Sequence, residues 1–239
     1  MHDMTLSLHS AFAALPEPTA QSFTSADQSL TVQTDIFPAL WENLKRLLFA
    51  TIMSLQGAIT NAIHAPRMRT APFSRPLQIP ELAQQASKIL AILSTLAFVS
   101  VKFGSSAFDE WNFVYLAAID ILTAYPAKTT TFIESCTPGT LSLGYQLMIA
   151  VSTRHPCLKA DALFFLDTLE QVIPVLPPSF IQPLLPVVES YVSNLADASL
   201  RPQLESAHSV FLAILARRDI VHDQILPYVE KVYTVGHIL

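Results

Sequence analysis

Apolar residues recur at three- and four-residue steps along much of the chain, the period of an α-helix with one buried face. In "IFPALWENLKRLLFATIMSLQGAITNAIHA" the positions Phe37, Leu40, Trp41, Leu44, Leu48, Ile52, Leu55 and Ile59 keep that period. A long amphipathic helix is expected there, with Gly57 as the place where it bends or breaks. Leu82–Phe103 reads as a long, largely buried helix, introduced by Pro80 and Glu81 and ended by Gly104. "SSAFDEWNFVYLAAIDILTAYP" predicts another helix, terminated by Pro126. "KTTTFIESCTPG" predicts a short helix and turn, and "TLSLGYQLMIAVSTRHP" a helix closed by Pro156.

The segments that follow come in pairs. "LKADALFFLDTLEQVIPVLPP" runs into a proline turn, and "SFIQPLLPVVESYVSNLAD" is its expected antiparallel partner. "RPQLESAHSVFLAILARR" and "DIVHDQILPYVEKVYTV" make a second pair. Pairs about 40 residues apart with short turns are the mark of stacked helical hairpins. The fold class is therefore all-α: an irregular HEAT/armadillo-like hairpin array, an α-solenoid. Only five glycines, and no alternating strand runs, argue against a sheet. Residues 1–35 are rich in Ser, Thr, Gln and Ala and are expected to be mostly disordered, with a weak helix at "LHSAFAAL". The helical-repeat domain is expected over 36–239, with a basic proline-rich linker at about 65–80.

Composition adds what periodicity cannot. Of 239 residues 51% are hydrophobic and only 14% charged. So few charges imply apolar surface covered by a partner, a membrane or further chain. A net charge of −5 argues against nucleic acid as a partner, since phosphate binding needs a basic face. Two cysteines, Cys136 and Cys157, form no disulfide framework and are expected as reduced thiols. The first Lys or Arg is Lys45, so neither a signal peptide nor a mitochondrial presequence is expected at the N-terminus. The longest charge-free apolar run, Ile89–Val101, is short for a membrane span and is read as a buried helix.

Several groups invite chemistry. Glu205, Ser206, His208 and Ser209 offer the parts of a hydrolase triad. On a helix, however, Ser206 and His208 diverge, and Glu205 and Ser209 lie on another face. Leu204, Ala207, His208, Phe211 and Leu215 share one face, so His208 is expected to point toward the core. His155 and Cys157, with Cys136 as a third ligand, fall short of the four a structural zinc needs. Asp109 and Glu110 fit the positive end of a helix better than acid–base work. Between Asn43 and Pro80 the charges are Lys45, Arg46, Arg67, Arg69 and Arg75, with no acid. That region suits an anionic membrane surface or an acidic partner, although a core helix with a solvated loop also explains it. No phosphate-cradling glycine loop, H-E-x-x-H or C-x-x-C is present.

At "SLRPQLESAHSVFLAILARRDIVHDQILPYVEKVY" the chain resembles the fungal peroxin-8 (peroxisome biogenesis factor 8) family. The resemblance rests on "LRP", on "ESAHSV" at Glu205–Val210, and on "LPYVEKVY" at Leu226–Tyr233. It implies an all-helical, non-enzymatic scaffold held peripherally on the lumenal side of the peroxisomal membrane. Its implied partners are other peroxins: the docking and RING-finger import complexes and the receptor for C-terminal peroxisomal signals. It brings no catalytic, cofactor-binding or metal-binding residue. Family members are longer, so a truncated or divergent member is expected, and the terminal "HIL" does not fit a Ser-Lys-Leu-type signal. Two other readings stand beside it. One is a general helical-repeat adaptor in cytosol or nucleus; the other is a small helical hydrolase using His208 or His155.

Overall fold

The computed structural model describes residues 1–15, 20, 36–64, 79–103, 108–136, 155–192, 200–217 and 219. Among the described residues all regular structure is helical. The order is α1 (His2–Ala13), α2 (Ile36–His64), α3 (Ile79–Ser100), α4 (Asp109–Thr123), α5 (Pro126–Cys136), α6 (Pro156–Val172), α7 (Pro178–Ile181), α8 (Leu185–Val192) and α9 (Arg201–Leu215). Short 3-10 turns follow α3, α6 and α7. The chain divides into two units, one of Met1–Lys128 with Arg154–Asp161, the other of Thr129–Thr153 with Ala162–Leu239.

The first unit is built on α3. Its residues Ala83, Ala86, Ile89, Leu90, Leu93, Leu96, Ala97, Phe98 and Val99 are all buried. From Ile89 to Val99 they come on every side of the helix, so this half of α3 needs neighbours all round, while Gln84, Gln85 and Lys88 in its first half are exposed. Helices α1, α2 and α4 supply them. Helix α2 turns in Leu44, Leu48, Ile52, Leu55, Ile59 and Ala62, as its periodicity requires, while Leu40 is exposed. It runs unbroken through Gly57, whose missing side chain faces open space, so the expected interruption does not occur. Helix α4 buries Val114, Ala118, Ile119 and Leu122.

The N-terminus is more ordered than expected. The weak helix read at "LHSAFAAL" is present, but it reaches back to His2, forming α1 over residues 2–13, and packs on α3. Phe12 stacks on Phe98 with ring centroids 4.6 Å apart. Thr5, fully buried, donates its hydroxyl to the His2 carbonyl at 2.9 Å. Composition pointed the other way because a 12-residue helix is marginal in water, and its stability comes from the tertiary partner. Residues 21–35 lie outside the described residues.

By length and composition two stretches, Pro38–His64 and Glu81–Ser100, are long and apolar enough to cross a membrane. The requirement for a charge-free run passed over both. The second is mostly buried within its own unit, as a core helix is; the first is mostly exposed.

Proline punctuates the second unit. Pro174 ends the α-helical run of α6 in a 3-10 turn, because it lacks the N–H the next turn would need. Pro178 starts α7, and Pro183 lies in the 3-10 turn between α7 and α8. The single partner helix expected over 179–197 is therefore broken into pieces. Pro126 follows the end of α4 at Thr123, as expected, and also opens α5; Pro156 opens α6, and the helix it was expected to close lies outside the described residues. Leu166, Leu169, Val172, Ile173, Ile181, Val188, Tyr191, Val210 and Ile214 form its core. Helix α9 packs on α8 and on the turn after α6. The second members of the C-terminal pair, and the helix expected over 140–156 up to its last two residues, lie outside the described residues.

Phe12→Ala should cost about 3 kcal/mol of stability, the usual loss for a buried phenyl ring. Amide-exchange protection of residues 2–13 should fall with it. Protection retained in the variant would mean that α1 is held by something other than the Phe12–Phe98 stack.

Candidate functional site

Helix α9 carries the residues that suggested a triad. Pro202 opens it, as expected. Its buried residues are Gln203, Ala207, Val210, Phe211 and Ile214. The inward face is thus rotated from the expected one, and Leu204, His208 and Leu215 are half-buried on its flank. His208 does not reach the core, although burial still lowers its pKa and favours the neutral ring. Glu205 is exposed and accepts a bond from the Arg201 guanidinium at 2.9 Å, one turn away. Ser206 donates its hydroxyl to Asp167 of α6 at 2.6 Å. The carboxylate that meets Ser206 is therefore Asp167 of another helix and not the neighbouring Glu205.

Asp167 escaped the sequence reading. It stands in "ALFFLDTLEQV", an acid within an apolar run, and that was the available signal. Burial raises its pKa, and the Ser206 hydroxyl partly offsets this by stabilising the charged form. Glu170 is raised too, by burial and then by the charge of Asp167. A second polar tie closes the unit. Arg217 donates through Nη1 to the Ile173 carbonyl at 2.7 Å and to the Leu176 carbonyl, and through Nε to Asp219 at 2.9 Å. It adds a donor to the Ile173 carbonyl, which also accepts the Leu176 N–H of the 3-10 turn, and supplies one to the Leu176 carbonyl at the turn's end.

The first unit gathers another set. His9 of α1 lies with Nε2 2.9 Å from both carboxylate oxygens of Asp161. Hydrogen bonding to Asp161 raises the His9 pKa, against burial. Cys157, one turn before Asp161 on α6, is completely buried. One ligand atom from each of His9, Cys157 and Asp161 lies within 4.8 Å of the other two. Burial, and then the nearby carboxylate, push the Cys157 thiol up, the opposite of what a cysteine nucleophile needs. His155 is 6% exposed; its Nδ1 accepts the Cys157 backbone N–H at 3.3 Å, and its Nε2 meets no hydrogen-bond partner. His155 and Cys157 are neighbours as the sequence suggested, but the carboxylate and imidazole that join Cys157 come from Asp161 and His9. Cys136, the third ligand considered, closes α5, and its side chain is not among those described.

The remaining candidates are placed simply. Asp109 and Glu110 occupy the first turn of α4. Lys45 pairs with Glu42 on α2, while Arg67, Arg69 and Arg75 lie outside the described residues.

A family model described as PEX8 central TPR-like domain matches residues 129–216. The chain resembles peroxin-8. The match begins where the second unit begins and includes both Ser206 and Asp167. Peroxisomal biogenesis factor 8 of Pichia angusta is 27% identical over 197 residues, 82% of this chain and 28% of that protein. The factor 8 of Komagataella phaffii is 25% identical over 210 residues, 79% of this chain and 28% of the relative. A protein of Yarrowia lipolytica named peroxisomal membrane protein PEX17 is 26% identical over 194 residues, 77% of this chain and 27% of its own length. The chain thus spans little more than a quarter of the length of these relatives. No solved structure matches it. The resemblance seen at Glu205–Val210 is borne out, and so is the helical-repeat class; the matching repeat is TPR-like where the residues had suggested HEAT or armadillo.

Asp167 gives the peroxin-8-like domain a pH dependence of definite sign. In the folded state it holds its proton above the pH at which the unfolded chain has released it. Stability therefore falls as pH rises from its ordinary value of 3.8 through the raised one. Asp167→Asn keeps an acceptor for Ser206 and removes the charge. Urea midpoints of the variant should change less than wild type between about pH 4 and 7; identical profiles would show that Asp167 titrates normally.

Proposed function

We propose that this chain is a non-enzymatic scaffold of peroxisome biogenesis that links components of the matrix-protein import machinery. The observation that carries the reading is the match of residues 129–216 to the peroxin-8 central domain, supported by relatives named as peroxisomal biogenesis factors. The polar groups that had suggested hydrolysis favour the same reading. Glu205 is tied to Arg201 and Ser206 to Asp167, each within or between packed helices. A TPR-like array acts through its surface, by holding partners on stacked helices.

The proposed partners are other peroxins: the docking and RING-finger complexes and the receptor for C-terminal peroxisomal signals. The proposed place is the lumenal side of the peroxisomal membrane, held peripherally. Helix α2 suits a covered surface, since Leu40, Phe49, Met53 and Ile63 are exposed on it and Phe113 and Leu116 on α4. Phe49, Met53 and Ile63 fall on one side of α2 by helical spacing.

The test is fractionation of yeast cells expressing the tagged chain. It should sediment with peroxisomal membranes, resist protease until those membranes are opened, and co-purify with other peroxins. A chain spread through cytosol or nucleus, with no peroxin bound, would restore the general adaptor reading.

A further inference from the structure

His9, Cys157 and Asp161 present three different metal-ligating groups to one point in the first unit. Cys157 and Asp161 are four residues apart on α6, so helical geometry puts the sulfur and the carboxylate on one face. His9 comes from α1, which is separated from Asp161 by 152 positions in the sequence. The three ligand atoms lie within 4.8 Å of one another, close enough to shrink onto a single ion by side-chain rotation. The surroundings are apolar: Phe98 meets the His9 ring edge-on at 6.2 Å, and Phe12 stacks on Phe98. Cys157 is 0% exposed.

We infer that His9, Cys157 and Asp161 form a binding site for a zinc-class divalent cation, joining the N-terminal helix to the start of α6. One nitrogen, one thiolate sulfur and one carboxylate oxygen suit zinc, which accepts all three donors in tetrahedral geometry. With three protein ligands the fourth position is open to water. On binding, the Cys157 S–H bond breaks, its proton passes to solvent, and the sulfur–metal bond forms. The imidazole already faces Asp161 through Nε2; on binding, the proton of that hydrogen bond also leaves Nε2 for solvent, Nδ1 keeps the ring's N–H, and the freed nitrogen and the carboxylate become ligands.

The site accounts for two features together. The cysteine sulfur and the carboxylate stand one turn apart on the same helix, and a dication between them would stabilise the thiolate that the carboxylate alone opposes. The short helix α1 also acquires a fixed anchor, so metal binding adds to the stability of its docking. This inference concerns the first unit and does not depend on the peroxisomal reading.

The experiment is titration of the purified, reduced full chain with Co(II), a spectroscopic stand-in for zinc. One equivalent should produce a thiolate-to-cobalt charge-transfer band with tetrahedral d–d bands, and zinc should abolish both. Cys157→Ser should remove the charge-transfer band, while Cys136→Ser should leave it intact. His9→Gln, at a half-buried position, should weaken binding at least about tenfold and leave the helical circular dichroism unchanged. Metal should also increase amide-exchange protection of residues 2–13 in wild type and not in His9→Gln. The absence of a charge-transfer band in wild type, or one that survives Cys157→Ser, would overturn the site.

Discussion

The second half of helix α3, Ile89–Val99, has no face that can be given to water. Its Ala, Ile, Leu, Phe and Val side chains are buried around the whole circumference, and that requirement shapes the first unit. Each fully buried Leu or Ile contributes about 2 kcal/mol, so leaving one side of α3 open would forfeit several times that amount. Helices α2 and α4 cover part of it, and α1 covers a further part through Phe12 on Phe98. The ordering of α1 is thus a consequence of α3. The delivery of His9 to Asp161 follows in turn, because His9 and Phe12 are three residues apart on one helix face.

The second unit is governed by a different constraint. Its prolines stop and restart helices at Pro174, Pro178 and Pro183, and each break leaves carbonyls in need of donors. Arg217 answers this with two bonds to the Ile173 and Leu176 carbonyls. Ser206 and Asp167 add a directional contact between α9 and α6. Apolar packing alone tolerates sliding of one helix along another; a short hydroxyl–carboxylate bond allows one register, and breaking it leaves a half-buried charge without its donor.

What could be read from the sequence was whatever depends on local spacing. Leu44, Leu48, Ile52, Leu55 and Ile59 announce the face of α2, and Pro202 announces the start of α9. What could not be read depends on distant partners. Residues 2–13 have the composition of a flexible tail in which only a weak helix at "LHSAFAAL" could be read, and packing on α3 accounts for its full extent. Pro156 ends one element or begins another with equal chemical sense, and neighbours decide. The inward face of α9 missed by a small rotation because Gln203, polar in the sequence, is buried while His208 stays on the flank. Cys157 was singled out correctly as a ligand type, but its companions come from α1 and from one turn further along α6, and neither spacing nor composition connects His9 to Asp161.

The fate of the polar groups separates the two kinds of chemistry. Catalysis needs a nucleophile, a base and an orienting group in one connected set, with at least one of them able to reach a substrate. In the second unit Ser206 and Glu205 are each engaged by a different partner, so their proximity in sequence is undone by the helix that carries them. The result is polar residues that fix how helices pack. In the first unit the reverse holds. Groups remote in sequence converge on a fully buried sulfur, close enough for one small ion to reach all three. Both arrangements support assembly, one by setting helix register and the other by anchoring a terminal helix.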